Sequence, residues 1–307
     1  MKNFVKRLWI YIIILIVIFI SIELSYSWIP NDYSFKAKIL AENAEQIETL
    51  ILGNSHAYYG LNPLVFGETS TFNLAHVSQS IDLDKFLVES YLDKMDLKTI
   101  IIPLSYFSLY SKLEETSGAW MIVDFHYAYN YSPTDWKNRL YVFQPDLRGK
   151  LKSILKFLFS DYDRVYVDNL GFGPNRSEQR DISVTAESAV KRHTRKKDLQ
   201  GMSYKELPMF WELNGLIKQA KAFNVNVILV SLPVHNDYYK RLDLNQLEDI
   251  LLAGSELSSI YSNCTYLNYF QFPLEDRCFF DADHLNHRGA DRISSEIIKA
   301  LNHNEIK

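Results

Sequence analysis

The sequence predicts an α/β protein: a parallel sheet covered by helices on both faces, three layers deep. Two observations carry this. Short apolar strand segments alternate with segments of helical periodicity, and those strands lack the one-sided polar alternation of a sheet that faces water. A third observation concerns function. The first strand runs straight into a small-residue turn carrying Ser55, at the strand C-terminus, where open α/β sheets place their ligand sites.

The elements follow in order. Lys2, Lys6 and Arg7 precede an apolar run from Leu8 that continues through Glu23 to Trp28. About twenty residues cross a hydrocarbon core of roughly 30 Å, so residues 8–28 are expected to form a transmembrane anchor with Glu23 at its edge. No Ala-x-Ala-like site follows the run, which favours an uncleaved anchor over a removed signal peptide. The positive-inside bias keeps residues 1–7 cytoplasmic, making this a single-pass protein of the cytoplasmic membrane with its main domain outside. Residues 29–46 are polar and read as a stem.

Strands are then expected at Thr49–Leu52, Thr71–Leu74 and Thr99–Pro103, with a helix at Asp82–Met95. The rhythm resumes with a helix over Pro208–Phe223, whose Phe210, Leu213, Ile217 and Ala220 share one face, and a strand over Val225–Ser231. A helix over Leu244–Ile260, a strand over Thr265–Asn268 and a helix over Gly289–Leu301 complete the chain. Residues 47–105 and 208–307 thus make the sheet domain. Residues 106–207 are too many for a loop and read as an inserted subdomain. Its aromatic residues, among them Trp120, Tyr127, Tyr129, Tyr131, Trp136, Tyr141 and Tyr162, read as a small core, with stacking against sugar rings as the alternative.

The chain has 307 residues, 47% of them hydrophobic, and a net charge of −4. This composition excludes a disordered chain or a disulfide scaffold, and the charge gives no reason to expect nucleic acid as a partner. The one basic cluster, Lys191 to Lys197, reads as a solvated loop or as an attractor for an anionic polymer. Cys264 and Cys278 flank the last strand and would steady the following loop if paired outside the cell; two unrelated thiols fit the spacing equally well. Asp161-Tyr162-Asp163 lacks the remaining ligands of a calcium loop, Gly171-Phe172-Gly173-Pro174 is not a dinucleotide fingerprint, and no zinc spacing occurs. No cofactor or metal is expected.

Chemistry concentrates at two places. Gly53-Asn54-Ser55-His56 offers a serine hydroxyl, and Asp281-Ala282-Asp283-His284 places a carboxylate three residues before an imidazole. A serine needs a hydrogen-bonded base, and the base needs a partner to fix its tautomer; Ser55, His284 and Asp281 can fill those roles. Taken alone, Ser55 would serve as a helix cap, and the Gly-x-Ser-x-Gly elbow is absent because Ala57 replaces the second glycine. Asp283 and His287 form a second acid–imidazole pair nearby.

On these two blocks the chain resembles the SGNH branch of the GDSL hydrolase superfamily, over roughly residues 47 to 110 and 208 to 302. It is most similar to membrane-attached members that handle acyl groups on cell-envelope polymers. The resemblance implies an SGNH-like, flavodoxin-like sheet and a Ser55-His284-Asp281 triad. Two family blocks differ: no glycine occurs in Asn73-Leu74-Ala75-His76-Val77-Ser78, and Leu104-Ser105-Tyr106 replaces Gly-x-Asn-Asp after the third strand. Asn54, His56, Asn73 and Ser105 are therefore the candidates for oxyanion or substrate contacts. The expected function is a membrane-anchored serine esterase or O-acyltransferase acting on ester-linked acyl groups, acetyl above all, of envelope polysaccharide. Its partners would be an acylated polymer or glycan and a membrane-bound acyl-donor protein. The alternative is an inactive envelope assembly or glycan-binding protein of the same fold.

Overall fold

Five strands form one all-parallel sheet in the order β2-β1-β3-β4-β5. They are β1 Thr49–Ile51, β2 Thr71–Asn73, β3 Thr99–Pro103, β4 Asn226–Ser231 and β5 Cys264–Asn268. This is the doubly wound order of flavodoxin-like sheets, with its switch point between β1 and β3. The computed structural model describes residues 2–67, 70–133, 147–160, 162, 164–195, 199 and 201–304. Trp136, Tyr141, Asp161, Asp163, Lys196 and Lys197 lie outside the described residues.

Among the described residues the helices are α1 Lys2–Ser27, α2 Asp32–Asn43, α3 Ser55–Gly60, α4 Ile81–Tyr91, α5 Ile122–Tyr129, α6 Leu147–Phe159, α7 Ile182–His193, α8 Pro208–Ala222, α9 Asn236–Tyr239, α10 Leu244–Ile260 and α11 His287–Asn304. Local chemistry sets several of their starts. Pro208 opens α8, where its missing N–H costs nothing, and Asp181 and Asp243 cap α7 and α10 by accepting from Val184 N and Gln246 N.

The chain forms two compact units, Met1–Ala37 with Trp120–Tyr166, and Lys38–Ala119 with Val167–Lys307. In the first, Ile122, Phe125, Tyr129 and Tyr131 are buried and Tyr33 meets Phe125 edge-on at 5.2 Å, so part of the aromatic stretch builds a core; Trp120 and Tyr127 stay exposed. The same unit holds α1, whose Phe4–Ser27 portion is 24 residues long and apolar enough to cross a membrane by length and composition, with none of its most apolar stretch buried. A membrane anchor and a signal sequence share those properties.

The second unit carries the sheet. β1 (Thr-Leu-Ile) and β2 (Thr-Phe-Asn) are buried at every position, their polar residues Thr49, Thr71 and Asn73 included, as strands covered on both faces are. Ile51, Ile101, Ile228 and Val230 of the sheet pack with Tyr58 of α3, Leu61 just past its end, and Ile293 and Ile297 of α11 in one cluster on one face. α4, α8 and α10 belong to the crossovers that join β2 to β3, β3 to β4 and β4 to β5, and α4 packs on α8 while α10 packs on β5. The stretch from Val167 runs beside the edge strand, where Leu170 O accepts from Asn73 N at 2.8 Å.

One expectation changes, and one pair of open readings resolves. Residues 29–46, expected as a polar stem, contain α2 and a 3-10 turn at Ala44–Gln46, because Ile29 and Leu40 are apolar positions that become fully buried. Cys264 and Cys278 are free thiols. Cys264 opens β5 and is buried, while Cys278 closes the 3-10 turn Asp276–Cys278 and is half-buried.

Candidate active site

β1 ends at Ile51 and the chain turns sharply through Gly53, whose φ of +103° favours glycine. Space gives a second reason: a Cβ there would lie 2.3 Å from Pro103 Cδ. The turn is held from below by Asp84, whose Oδ1 accepts from Gly53 N at 2.8 Å. Asn54 then caps α3 through its own Oδ1, which accepts from His56 N at 2.9 Å. Ser55 is thereby the first residue of α3, half-buried at the C-terminal edge of the sheet.

The loop between β5 and α11 supplies the partners. Asp281 Oδ1 accepts from the backbone N of Asp283 at 3.1 Å and of His284 at 2.9 Å, a local turn that folds the imidazole back over the carboxylate. His284 Nδ1 lies 2.9 Å from Asp281 Oδ1, and His284 Nε2 lies 2.8 Å from Ser55 Oγ. An ionised carboxylate can only accept, so Nδ1 carries the hydrogen and Nε2 accepts from the serine hydroxyl. Those three side chains form the hydrogen-bonded chain that a nucleophilic serine needs.

A second carboxylate stands behind the first. Asp283 is 2% exposed and faces nitrogen on four sides: His284 Nδ1 at 3.5 Å from its Oδ1, and Arg192 at 3.5 Å, His193 Nδ1 at 3.6 Å and His56 Nε2 at 3.8 Å from its Oδ2. The His56 contact is beyond hydrogen-bond length, and both of its atoms lack a hydrogen-bond partner. Burial disfavours the Asp283 charge, yet His284, then His56 and His193, hold its carboxyl below the ordinary carboxylate range. Burial alone would lower the His284 pKa, but the Asp283 charge, then Asp281, carry it above its ordinary value. Burial pushes the imidazoles of His56 and His193 the other way, the latter down to about 3, so both are neutral near pH 7.

His56, Asp283 and His284 bring donor atoms within 4.8 Å of one another, a spacing that a cation can span. Both ring nitrogens of His284 are already engaged by Asp281 and Ser55, and the Arg192 guanidinium stands against Asp283, so the group forms an acid–imidazole cluster.

The four oxyanion or substrate candidates all brace the turn. Asn73 donates to the carbonyls of Ala57 and Leu61 at 2.9 and 3.0 Å and accepts from Ala75 N, which leaves no hydrogen for an oxyanion. Ser105 Oγ lies 3.1 Å from His56 Nδ1 and receives Asn54 Nδ2 at 3.2 Å, so Asn54, Ser105 and His56 form one buried relay. His287 does not pair with Asp283; its Nδ1 faces Asn175 O at 3.2 Å at the start of α11.

Three residues at the site escaped sequence reading. Asp84 looks like any acidic residue in a first helical turn, and burial drives its pKa to about 7 against hydrogen bonds from Gln79 and Gly53. Arg192 and His193 were visible only as members of the basic cluster. They end α7, where His193 stacks on Phe107 with ring centres 4.2 Å apart. Arg195 of the same cluster is turned inward onto Asp249 at 3.2 Å, with its side chain only 7% exposed.

No protein-family model matches this chain, and no curated protein matches it in sequence. Solved structures are similar to it. A GDSL-like lipase from Bacteroides thetaiotaomicron matches with TM-score 0.44 and 10% identity, over 89% of this chain and 99% of that one. A candidate acylhydrolase from Bacteroides fragilis matches with TM-score 0.42 and 12% identity, over 86% of this chain and 94% of that one. A candidate platelet activating factor from Streptococcus pneumonia matches with TM-score 0.44 and 13% identity, over 87% of this chain and 91% of that one.

Proposed function

We propose that this protein is a membrane-anchored serine esterase or O-acyltransferase acting on ester-linked acyl groups of cell-envelope polysaccharide. The observation that carries the reading is the unbroken chain Ser55 Oγ, His284 Nε2, His284 Nδ1, Asp281 Oδ1, with steps of 2.8 and 2.9 Å. Ser55 and His284 are half-buried, so a substrate carbonyl can reach the hydroxyl from solvent.

In the first half-reaction His284 Nε2 takes the Ser55 proton as Oγ attacks the acyl carbonyl. The imidazolium that forms is held by Asp281. The backbone N–H of Ser55, at the first position of α3, has no acceptor within the helix and is the proposed oxyanion donor. Collapse of the tetrahedral intermediate breaks the ester C–O bond, and His284 returns its proton to the leaving alcohol. An acyl group is left on Ser55. In the second half, His284 deprotonates water, giving a free acid, or a glycan hydroxyl, giving a new ester. Either step regenerates the serine.

Anchoring by α1, with Lys2, Lys6 and Arg7 on the cytoplasmic side, would set the sheet domain against envelope polymers rather than cytoplasmic esters. An acyl-donor protein in the same membrane is the partner a transferase would need. The test is turnover of O-acetylated xylan oligomers and of 4-nitrophenyl acetate by the purified chain. Free acetate from both supports esterase chemistry, acetyl transfer between oligomers supports the transferase, and neither product from a folded chain contradicts the reading.

A further inference from the structure

We propose that α6 (Leu147–Phe159) binds the surface of a lipid bilayer, with its leucines and terminal phenylalanine at the acyl boundary and its cations on anionic head groups. The sequence of this helix divides into three stripes. Leu147, Leu151, Leu155 and Leu158 follow one another at helical spacing and are all exposed, Leu158 by 64%, and Phe159 beside them by 81%. Arg148, Lys152 and Lys156 repeat every four residues along the next stripe. Apolar residues exposed in this density mark a contact surface, and a cationic stripe beside them is the pattern of helices that lie in a membrane interface.

The third stripe fixes where the helix lies. Lys150 is buried, and its Nζ reaches both carboxylate oxygens of Glu23 at 2.6 Å and sits 5.5 Å from the Tyr26 ring. Past the other end of α6, Arg164 donates to the Tyr26 hydroxyl at 3.1 Å and Tyr166 N donates to Asp32 Oδ1 at 2.6 Å. Both flanks of the segment are therefore tied to the last turn of α1 and the residues just after it. The 24 residues of Phe4–Ser27 span roughly 36 Å at about 1.5 Å per residue, slightly more than a hydrocarbon core of about 30 Å. Their last turn falls where head groups begin, and α6 is held at that depth.

Glu23 gains a role from this geometry. An acid near the end of an apolar helix is costly unless paired, and Lys150 supplies the pair while docking α6. A second copy of the chain fits the exposed face poorly, because it would bring another cationic stripe toward the first. A lipid surface offers both an apolar boundary and phosphates. The inference rests on α1 as a membrane span and does not depend on the acyl chemistry.

The full chain carrying Leu158→Cys and Cys278→Ser, labelled with the NBD fluorophore, can be placed in nanodiscs of phosphatidylcholine with phosphatidylglycerol. Cys264 is buried and should stay unlabelled. The expected result is blue-shifted emission, quenching by doxyl-labelled lipid and protection from iodide. Lys152→Glu with Lys156→Glu should weaken the lipid quenching at least twofold. Iodide quenching without lipid quenching would overturn the proposal, as would a blue shift that doxyl lipid leaves untouched, since a protein surface would then cover the helix. Release of the chain from membranes by carbonate would overturn the reading of α1 and this proposal together; retention with an iodide-exposed label overturns this proposal alone.

Discussion

His284 Nε2 lies 2.8 Å from Ser55 Oγ across 229 positions of sequence. Neither residue reaches the other through a flexible loop. Ser55 is fixed by the Gly53 turn, the Asn54 cap and Asp84 beneath, while His284 is fixed by Asp281, by the bridge of Phe279 to Leu285 and by α11 packing on α3. The proposed acyl chemistry follows from that contact.

Ser55→Ala and His284→Ala are each expected to remove ester turnover while leaving the fold intact, since neither side chain belongs to the hydrophobic core that holds the sheet to its helices. Asp281→Asn should keep weak activity, because Asp281 orients the imidazole without touching substrate. Residues that act as one unit are not additive, so the Ser55 and His284 double variant should be no slower than either single one. Steady-state kinetics on 4-nitrophenyl acetate reads all four. Near-normal turnover by folded Ser55→Ala would exclude the serine mechanism.

A second expectation concerns pH. The base works only when unprotonated, and the charge of Asp283, then Asp281, raises the His284 pKa. Activity should therefore rise with pH through a value above the usual 6.5 of histidine. Asp283, Asp281 and Arg192 act on this titration, and His56 and His193 both meet Asp283 through its Oδ2. Asp283→Asn removes a charge that favours the imidazolium, so its acid limb should move to lower pH. Arg192→Ala removes one that opposes it, so its limb should move higher. Profiles of kcat/KM against pH decide the matter, and coincident limbs in all three proteins would dismiss Asp283 as an influence on the base.

The Gly53 turn is expected to be intolerant. Gly53→Ala adds a Cβ 2.3 Å from Pro103 Cδ at a positive φ, which should cost about 1–3 kcal/mol of stability in urea titration. A stability equal to the parent would show that the turn relaxes freely.

Asn73 separates a structural from a catalytic role. Asn73→Ala leaves the Ala57 and Leu61 carbonyls without their donor and should lower stability by about 2–3 kcal/mol. Turnover per folded molecule should stay within a few-fold of the parent. A loss beyond a hundredfold would instead mark Asn73 as an oxyanion donor.

Much of this was legible in the sequence. The bounds expected for β3 and α10 match the structure, because a run such as Thr-Ile-Ile-Ile-Pro and a capped, periodic helix admit one reading. The pairing of Ser55 with His284 was legible too, since strand context and the Asp-x-x-His spacing constrain each end separately. Contacts made by single side chains between distant elements were not. Nothing local marks Asp84 as the support of Gly53, or carries Arg192 and His193 from a basic run on α7 to the back of Asp283. The sequence leaves Asn73 as one candidate among several for an oxyanion or orienting contact, and its amide is consumed by backbone carbonyls that only the folded α3 brings within reach.

The most direct measurement of the central claim is covalent capture of the nucleophile. The folded chain, treated with a fluorophosphonate probe and digested, should yield by mass spectrometry a phosphonylated peptide modified at Ser55, and His284→Ala should yield little or none. Absence of label at Ser55 in a folded chain, or label of equal intensity in Ser55→Ala, would contradict the account and favour a non-catalytic envelope protein built on the same sheet.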